Sequence, residues 1–142
     1  MKPPSSGKGL ARTALAIDKD LLARFDEWMS RHGYTNRSEA VRDLVRGVLV
    51  EAEWADPAAS VVATLSIIYA HHRHELASRL ASLQHADHHA ILCSQHIHLD
   101  EHDCLEVIVM QGQARQLRRI ADAITATRGV RAGKLTMLSR NL

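Results

Sequence analysis

Aromatic residues are scarce in this chain, with one Phe, two Trp and two Tyr in 142 residues, so any core must be built from aliphatic side chains. Cysteine is nearly absent as well. Two of them cannot make the disulfide framework of a small secreted domain. No apolar run is long enough to span a membrane, and no segment has the character of a signal-peptide core, so the expected location is the cytoplasm and no membrane partner is expected. The formal net charge of +2 is too small to establish a nucleic-acid partner by itself. What is abundant is histidine: ten residues, which beside two cysteines favour metal chemistry over oxidation. The length suits one ordinary domain or two small ones. Lys8, Arg12, Arg24, Arg31, Arg37, Arg42 and Arg46 load the first third with positive charge.

The histidines matter most in the run Q-H-I-H-L-D-E-H-D-C from Gln95 to Cys104. His96 and His98 are two apart, so on a β-strand they point to the same face. Leu105–Gln111 reads as the next strand, with Leu99–Asp103 as a polar turn. Pairing His98 with Cys104 across that hairpin pairs His96 with Glu106 and puts all four on one face. Two imidazoles and a thiolate form a borderline-soft donor set that suits Ni, Cu, Zn or Co and not Mg or Ca. A fourth donor is needed to close such a site.

Residues 1–9, with Pro3, Pro4, Ser5, Ser6, Gly7 and Gly9, read as a flexible arm. Ala11–Ile17 reads as a short strand, and Asp18 as the N-cap of an amphipathic helix carrying Leu21, Leu22, Phe25, Trp28 and Met29. Gly33 ends it. Asn36-Arg37-Ser38-Glu39 has capping-box spacing, and Val41, Leu44, Val45, Val48 and Leu49 make the apolar stripe of a second helix. A lone strand and two helices in some forty residues cannot enclose a core. Both defects vanish if two copies pair their strands antiparallel and interlock their helices, which is a ribbon-helix-helix dimer, a β-ribbon reader of the DNA major groove.

Residues 54–59, with Asp56 and Pro57, read as a linker between this 10–53 domain and a second domain over 60–142. There the pattern is strand (Val61–Tyr69), helix (His74–Gln84), strand (Ile91–Leu99), strand (Leu105–Gln111), helix (Ala114–Thr127), strand (Arg131–Leu138). The order βαββαβ is that of the ferredoxin-like fold, an α+β class with helices on one sheet face only. On the strand Ile91–Leu99, alternation sets Ile91, Cys93, Ile97 and Leu99 against Leu92, Ser94, His96 and His98. The apolar set is expected to face the helices, with Cys93 as a core thiol and the histidines on the open face. The helix before His85 is expected on the far side of the sheet from His96.

A ribbon-helix-helix module followed by a βαββαβ module with H-x-H-x5-C resembles the nickel-responsive transcriptional regulators of bacteria and archaea. The likeness runs from Ala11 to Leu138. Its blocks are G-Y-T-N-R-S-E-A-V-R-D (Gly33–Asp43), E-L-A-S-R (Glu75–Arg79), H-I-H to C-L-E (His96–Glu106) and R-G-V-R-A-G (Arg128–Gly133). The resemblance implies a homotetramer, two ACT-like regulatory dimers back to back with a DNA-binding dimer at each end. It implies one planar, four-coordinate Ni(II) per subunit, with His96, His98 and Cys104 from one chain and His85 from the opposing one. Tyr69 and His71 match positions beside the metal, and Glu39 and Asp43 match carboxylates that hold a potassium ion. Double-stranded operator DNA is the implied partner, and neither a small-molecule substrate nor catalysis is implied. Repression of nickel uptake genes by the nickel-bound form is the implied output.

The residues also allow plainer readings. Glu39 is explained as a capping-box residue, Asp43 as a helix-surface acid and Tyr69 as a strand aromatic. His88 is an alternative donor to His85. Copper, cobalt or zinc could be the metal sensed, since affinity does not name it. A metal store would need no DNA-binding ribbon, and a hydrolase would need an open coordination position. The chain also departs from the family pattern. The outward ribbon positions are Arg12, Ala14 and Ala16, where the family members best known for operator recognition carry Arg-x-Thr-x-Thr, so a different operator is expected. Phosphate contacts are expected from the backbone near Arg37 and Ser38 at a helix N-terminus. His72, His74, His88, His89 and His102 are candidates for weak surface metal binding.

Overall fold

Asp18 opens the first helix, α1 (Lys19–Arg31), by accepting from the N–H groups of Asp20 (2.9 Å) and Leu21 (3.3 Å). Those are donors that a helix start leaves unsatisfied. Gly33 ends the turn beyond α1 with φ 76°, a left-handed conformation that side chains with a Cβ rarely adopt. Asn36 then caps α2 (Arg37–Ala55), its Oδ1 accepting from the Glu39 N–H at 2.9 Å. Arg37 grips Asp26 of α1 with both Nε (2.8 Å) and Nη2 (2.7 Å), a bidentate clamp between the two helices. The computed structural model describes residues 9–70, 72 and 74–140. These group into two units, one ending at Arg42 and one starting at Asp43.

Two expectations for the N-terminal part change. Residues 9–18 are exposed and form neither helix nor strand. A strand is defined by a hydrogen-bonded neighbour, and no described segment of this chain supplies one. The segment expected as a linker, 54–59, begins inside α2. Trp54 is 1% exposed within the hydrophobic core of the second unit and donates its indole N–H to the Leu138 carbonyl at 3.1 Å.

The second unit is a four-stranded antiparallel sheet, β1 (Ser60–Ala70), β2 (Ile91–His98), β3 (Asp103–Gln113) and β4 (Val130–Leu138), with α3 (His74–Ala86) and α4 (Ala114–Thr125) in the crossovers. The order across the sheet, β2-β3-β1-β4, is that expected for βαββαβ connectivity. Strict alternation builds the core. Val61, Ala63, Leu65, Ile67 and Tyr69 of β1 and Cys104, Ile108 and Met110 of β3 meet Leu76 and Leu80 of α3 and Leu117, Ile120 and Ile124 of α4. Gly129 precedes β4 at φ 107°, and a Cβ there would lie 2.8 Å from Leu76 Cδ2, so only glycine fits. No helix among the described residues is long and apolar enough to cross a membrane.

Candidate metal centre

β2 and β3 pair as the hairpin spacing predicts, with His98 opposite Cys104 and His96 opposite Glu106. The turn between them is tied by Asp100, whose Oδ1 accepts from the N–H groups of His102 (2.7 Å) and Asp103 (2.8 Å). These backbone bonds hold the Asp100 carboxyl below its usual range. Leu99 N–H donates to the Asp103 carbonyl at 2.9 Å, closing the loop. A donor atom from each of His96, His98 and Cys104 then lies within 4.8 Å of the others, and Cys104 Sγ is 3.4 Å from His98 Nδ1.

The face on which this happens is not the expected one. A bulge at Leu92 shifts the pairing, so that Ile91 opposes Met110 while Cys93 opposes Val109. One extra residue inverts the alternation. Ile91 therefore lies on the helix-covered side, Cys93 is exposed on the open side, and His96 and His98 share the helix-covered side with buried Cys104 and Glu106. Cys93 is no core thiol. The histidines stay exposed because β2 is an edge strand.

Cys104 is fully buried, whereas a metal-binding thiol must ionise. Burial pushes its pKa up, and the carboxylates of Asp103, Asp100 and Glu106 push it further in the same direction. Behind it sits a polar chain that alternation alone does not reveal. Gln84 Nε2 donates to Glu106 Oε1 at 2.7 Å, Tyr69 Oη donates to Glu106 Oε2 at 3.1 Å, and Tyr69 Oη lies 3.0 Å from His96 Nδ1. Glu106 is only 6% exposed, and two hydrogen bonds to its carboxylate offset its desolvation. Tyr69 is pushed well above the usual phenol range by burial first, then by the Glu106 charge and hydrogen bond. With its one proton committed to Glu106, the Tyr69 oxygen accepts from His96 Nδ1–H. That tautomer, assigned from the network, leaves the His96 Nε2 lone pair free. An imidazole oriented through its other nitrogen by a carboxylate-backed partner is the usual support of a metal ligand.

His85, on the last turn of α3, lines an open cavity of about 500 Å³ together with Tyr69, Gln84, His88, His96 and Glu106. It is not among the converging donors. The helix lies on the same side of the sheet as His96, so the expectation that the sheet separates His85 from His96 does not hold. His71 lies outside the described residues. Glu39 lies 3.8 Å from Arg42 and Asp43 3.0 Å from Arg46, each an ion pair along α2. Arg12, Ala14 and Ala16 are exposed, the Arg37 guanidinium is occupied by Asp26, and Ser38 accepts Arg42 Nε at its carbonyl (3.3 Å).

A ferredoxin-like domain with two imidazoles and a thiol converging at one sheet edge defines a candidate transition-metal binding domain. The family model of the NikR C-terminal nickel-binding domain matches residues 62–138. A relative from Solibacter usitatus, whose name places it among the nickel-responsive regulators, is 47% identical over 91% of this chain and 93% of its own. Relatives so named from Pelobacter propionicus (43% identical over 89% of this chain and 91% of theirs) and Desulfovibrio desulfuricans (46%, 89% and 91%) agree. The chain belongs to the nickel-responsive regulator family. Among solved structures, an uncharacterised protein from Thermotoga maritima superposes with a TM-score of 0.51 at 17% identity, over 56% of this chain and 99% of that one, a likeness of fold alone.

Proposed function

We propose that the chain is a nickel-dependent, DNA-binding repressor of nickel uptake genes. The observation that carries the reading is the convergence of His96, His98 and Cys104, with His96 oriented through Tyr69 and Glu106, in a chain of this family. Three donors from one chain leave a planar four-coordinate site one short, and His85 of the partner subunit supplies the fourth. Because the donors belong to two chains, closing the site fixes two regulatory domains relative to one another. That restraint biases the DNA-binding pairs in a homotetramer toward a pose that spans both operator half-sites. By linkage, operator binding then tightens metal binding by the same factor. Four protein donors leave no position for a substrate, so the site is regulatory and not hydrolytic.

Exposed apolar side chains support pairing of the N-terminal segments between copies. Leu15 is 61% exposed, Leu21 56% and Val48 65%, more than a single chain would leave in water without a partner. In the paired ribbon Arg12 reads guanine, and the open N–H groups at the start of α2, at Arg37 and Ser38, hold a phosphate. Potassium at Glu39 and Asp43 is carried by the family resemblance. Arg12→Ala is expected to cost about 1–3 kcal/mol of operator discrimination per half-site while non-specific binding persists. Selection from a random DNA pool measures it, and an unchanged consensus with unchanged selectivity would remove the ribbon as the reading element. The function itself is tested by a DNA-shift assay on the upstream region of a nickel transporter gene. A shift with stoichiometric Ni(II) and none without it is expected, and identical behaviour in both would reject nickel dependence.

A further inference from the structure

Beyond the His96/His98/Cys104 centre, one other pair of imidazoles is held in register by the fold. β1 and β3 end together, with Ala70 opposite Asp103, so the segment after β1 and the β2–β3 turn emerge side by side. His72 lies just past the end of the first and His102 on the second. Their ring nitrogens, His72 Nε2 and His102 Nδ1, are 3.3 Å apart, with the rings inclined at 62°. The turn that presents His102 is stiff. Asp100 accepts two of its backbone N–H groups, and Arg131 of β4 fixes Asp103 at 2.6 Å.

Two imidazoles placed this way can share a single N–H···N hydrogen bond only while neutral, and both are exposed to water. They can equally present two lone pairs to one cation. With metal–nitrogen bonds of about 2.0–2.1 Å, two nitrogens on a tetrahedral ion lie about 3.3 Å apart, and on a square-planar ion about 2.9 Å apart. The observed separation matches the tetrahedral case. It differs in kind from the thiolate centre, since it has no sulfur and no buried carboxylate behind it.

We propose that His72 and His102 form a second, weaker metal site that takes a tetrahedral ion, Zn(II) in preference to planar Ni(II), with water completing the coordination. With only two protein donors, this site exchanges its ion more readily than the thiolate centre. The test uses the full chain, loaded with Ni(II) and followed by its thiolate-to-nickel absorbance, and measures Zn(II) uptake against a chromophoric chelator. The same titration on Cys104→Ala keeps a failure of the nickel centre distinguishable from a failure of this one. The wild type should take up one further Zn(II) per chain. His72→Gln and His102→Gln should each weaken that uptake about tenfold or more, leaving the nickel absorbance unchanged, while His89→Gln has no effect. No further uptake by the wild type, or uptake that survives either substitution at full strength, would overturn the proposal. So would uptake that falls only with His89→Gln, which would move the zinc to the His88–His89 ring pair.

Discussion

β3 and β2 contribute to the metal centre in opposite ways. β3 is flanked on both sides and buries Cys104 and Glu106 against α3 and α4, while β2, at the sheet edge, leaves His96 and His98 in water. One half of the site is thus part of the core, held by the packing that holds the domain. The other half is delivered by an edge strand and stays accessible. An enclosed site on inner strands would be closed to a donor from another chain. A site made wholly on the edge would lack the buried carboxylate that orients His96. Placing the thiol inside and the imidazoles outside gives a rigid anchor with one open side.

The sharpest way to break this contrast is to remove the buried anchor. Cys104→Ala is expected to weaken Ni(II) binding by about 100-fold or more and to abolish the thiolate-to-nickel absorbance. Cys93→Ala should leave both intact, because Cys93 is exposed on the opposite face of β2. Equal absorbance in the two variants would dissolve the distinction between core and edge thiols.

A smaller effect is expected from the carboxylate behind the edge. In Glu106→Gln the Tyr69 hydroxyl is no longer obliged to donate away from His96, so the ring loses its fixed tautomer. Nickel affinity should fall about 10–100-fold with the thiolate absorbance retained. Unchanged affinity would mean that the Gln84–Glu106–Tyr69 chain serves packing alone. Tyr69→Phe should act in the same direction.

The buried thiol also sets a pH dependence. Its pKa lies above the ordinary thiol value, so the free protein carries the proton at neutral pH and metal binding must release it. Apparent nickel affinity should therefore rise with pH, by about tenfold per unit for each proton released, until the raised thiol pKa is passed. Calorimetry in buffers of different ionisation enthalpy counts the proton. Binding without proton release would show that the thiol is ionised beforehand.

Much of the regulatory domain is legible in the sequence because its signals are local. Strand alternation, the βαββαβ order and the polar turn at Leu99–Asp103 give the fold and the His98–Cys104 register directly. What is not legible comes from single-residue or long-range events. The bulge at Leu92 carries no glycine or proline to mark it, so the alternation of Ile91, Cys93 and Ile97 points to the wrong face. Gln84 and Glu106 are 22 residues apart and meet only when α3 folds onto the sheet, so the chain that orients His96 has no sequence signature. Trp54 resembles a linker residue because its pocket is formed by the far end of the chain, at Leu138. The segment 9–18 reads as a strand from composition, yet a strand also needs a neighbour that a single chain does not provide.

The central claim is that the exposed side of the site is closed by a second chain, and complementation between variants tests it most directly. His85→Ala lacks the proposed donor in trans, and the double variant His96→Ala, His98→Ala lacks the two edge donors in cis. Mixed oligomers of the two, verified as mixed, should regain tight nickel binding and the thiolate absorbance at the fraction of sites that pair an intact His85 with an intact His96, His98 and Cys104. If verified mixed oligomers bind no better than either variant alone, His85 is not supplied by a second chain and the account is wrong.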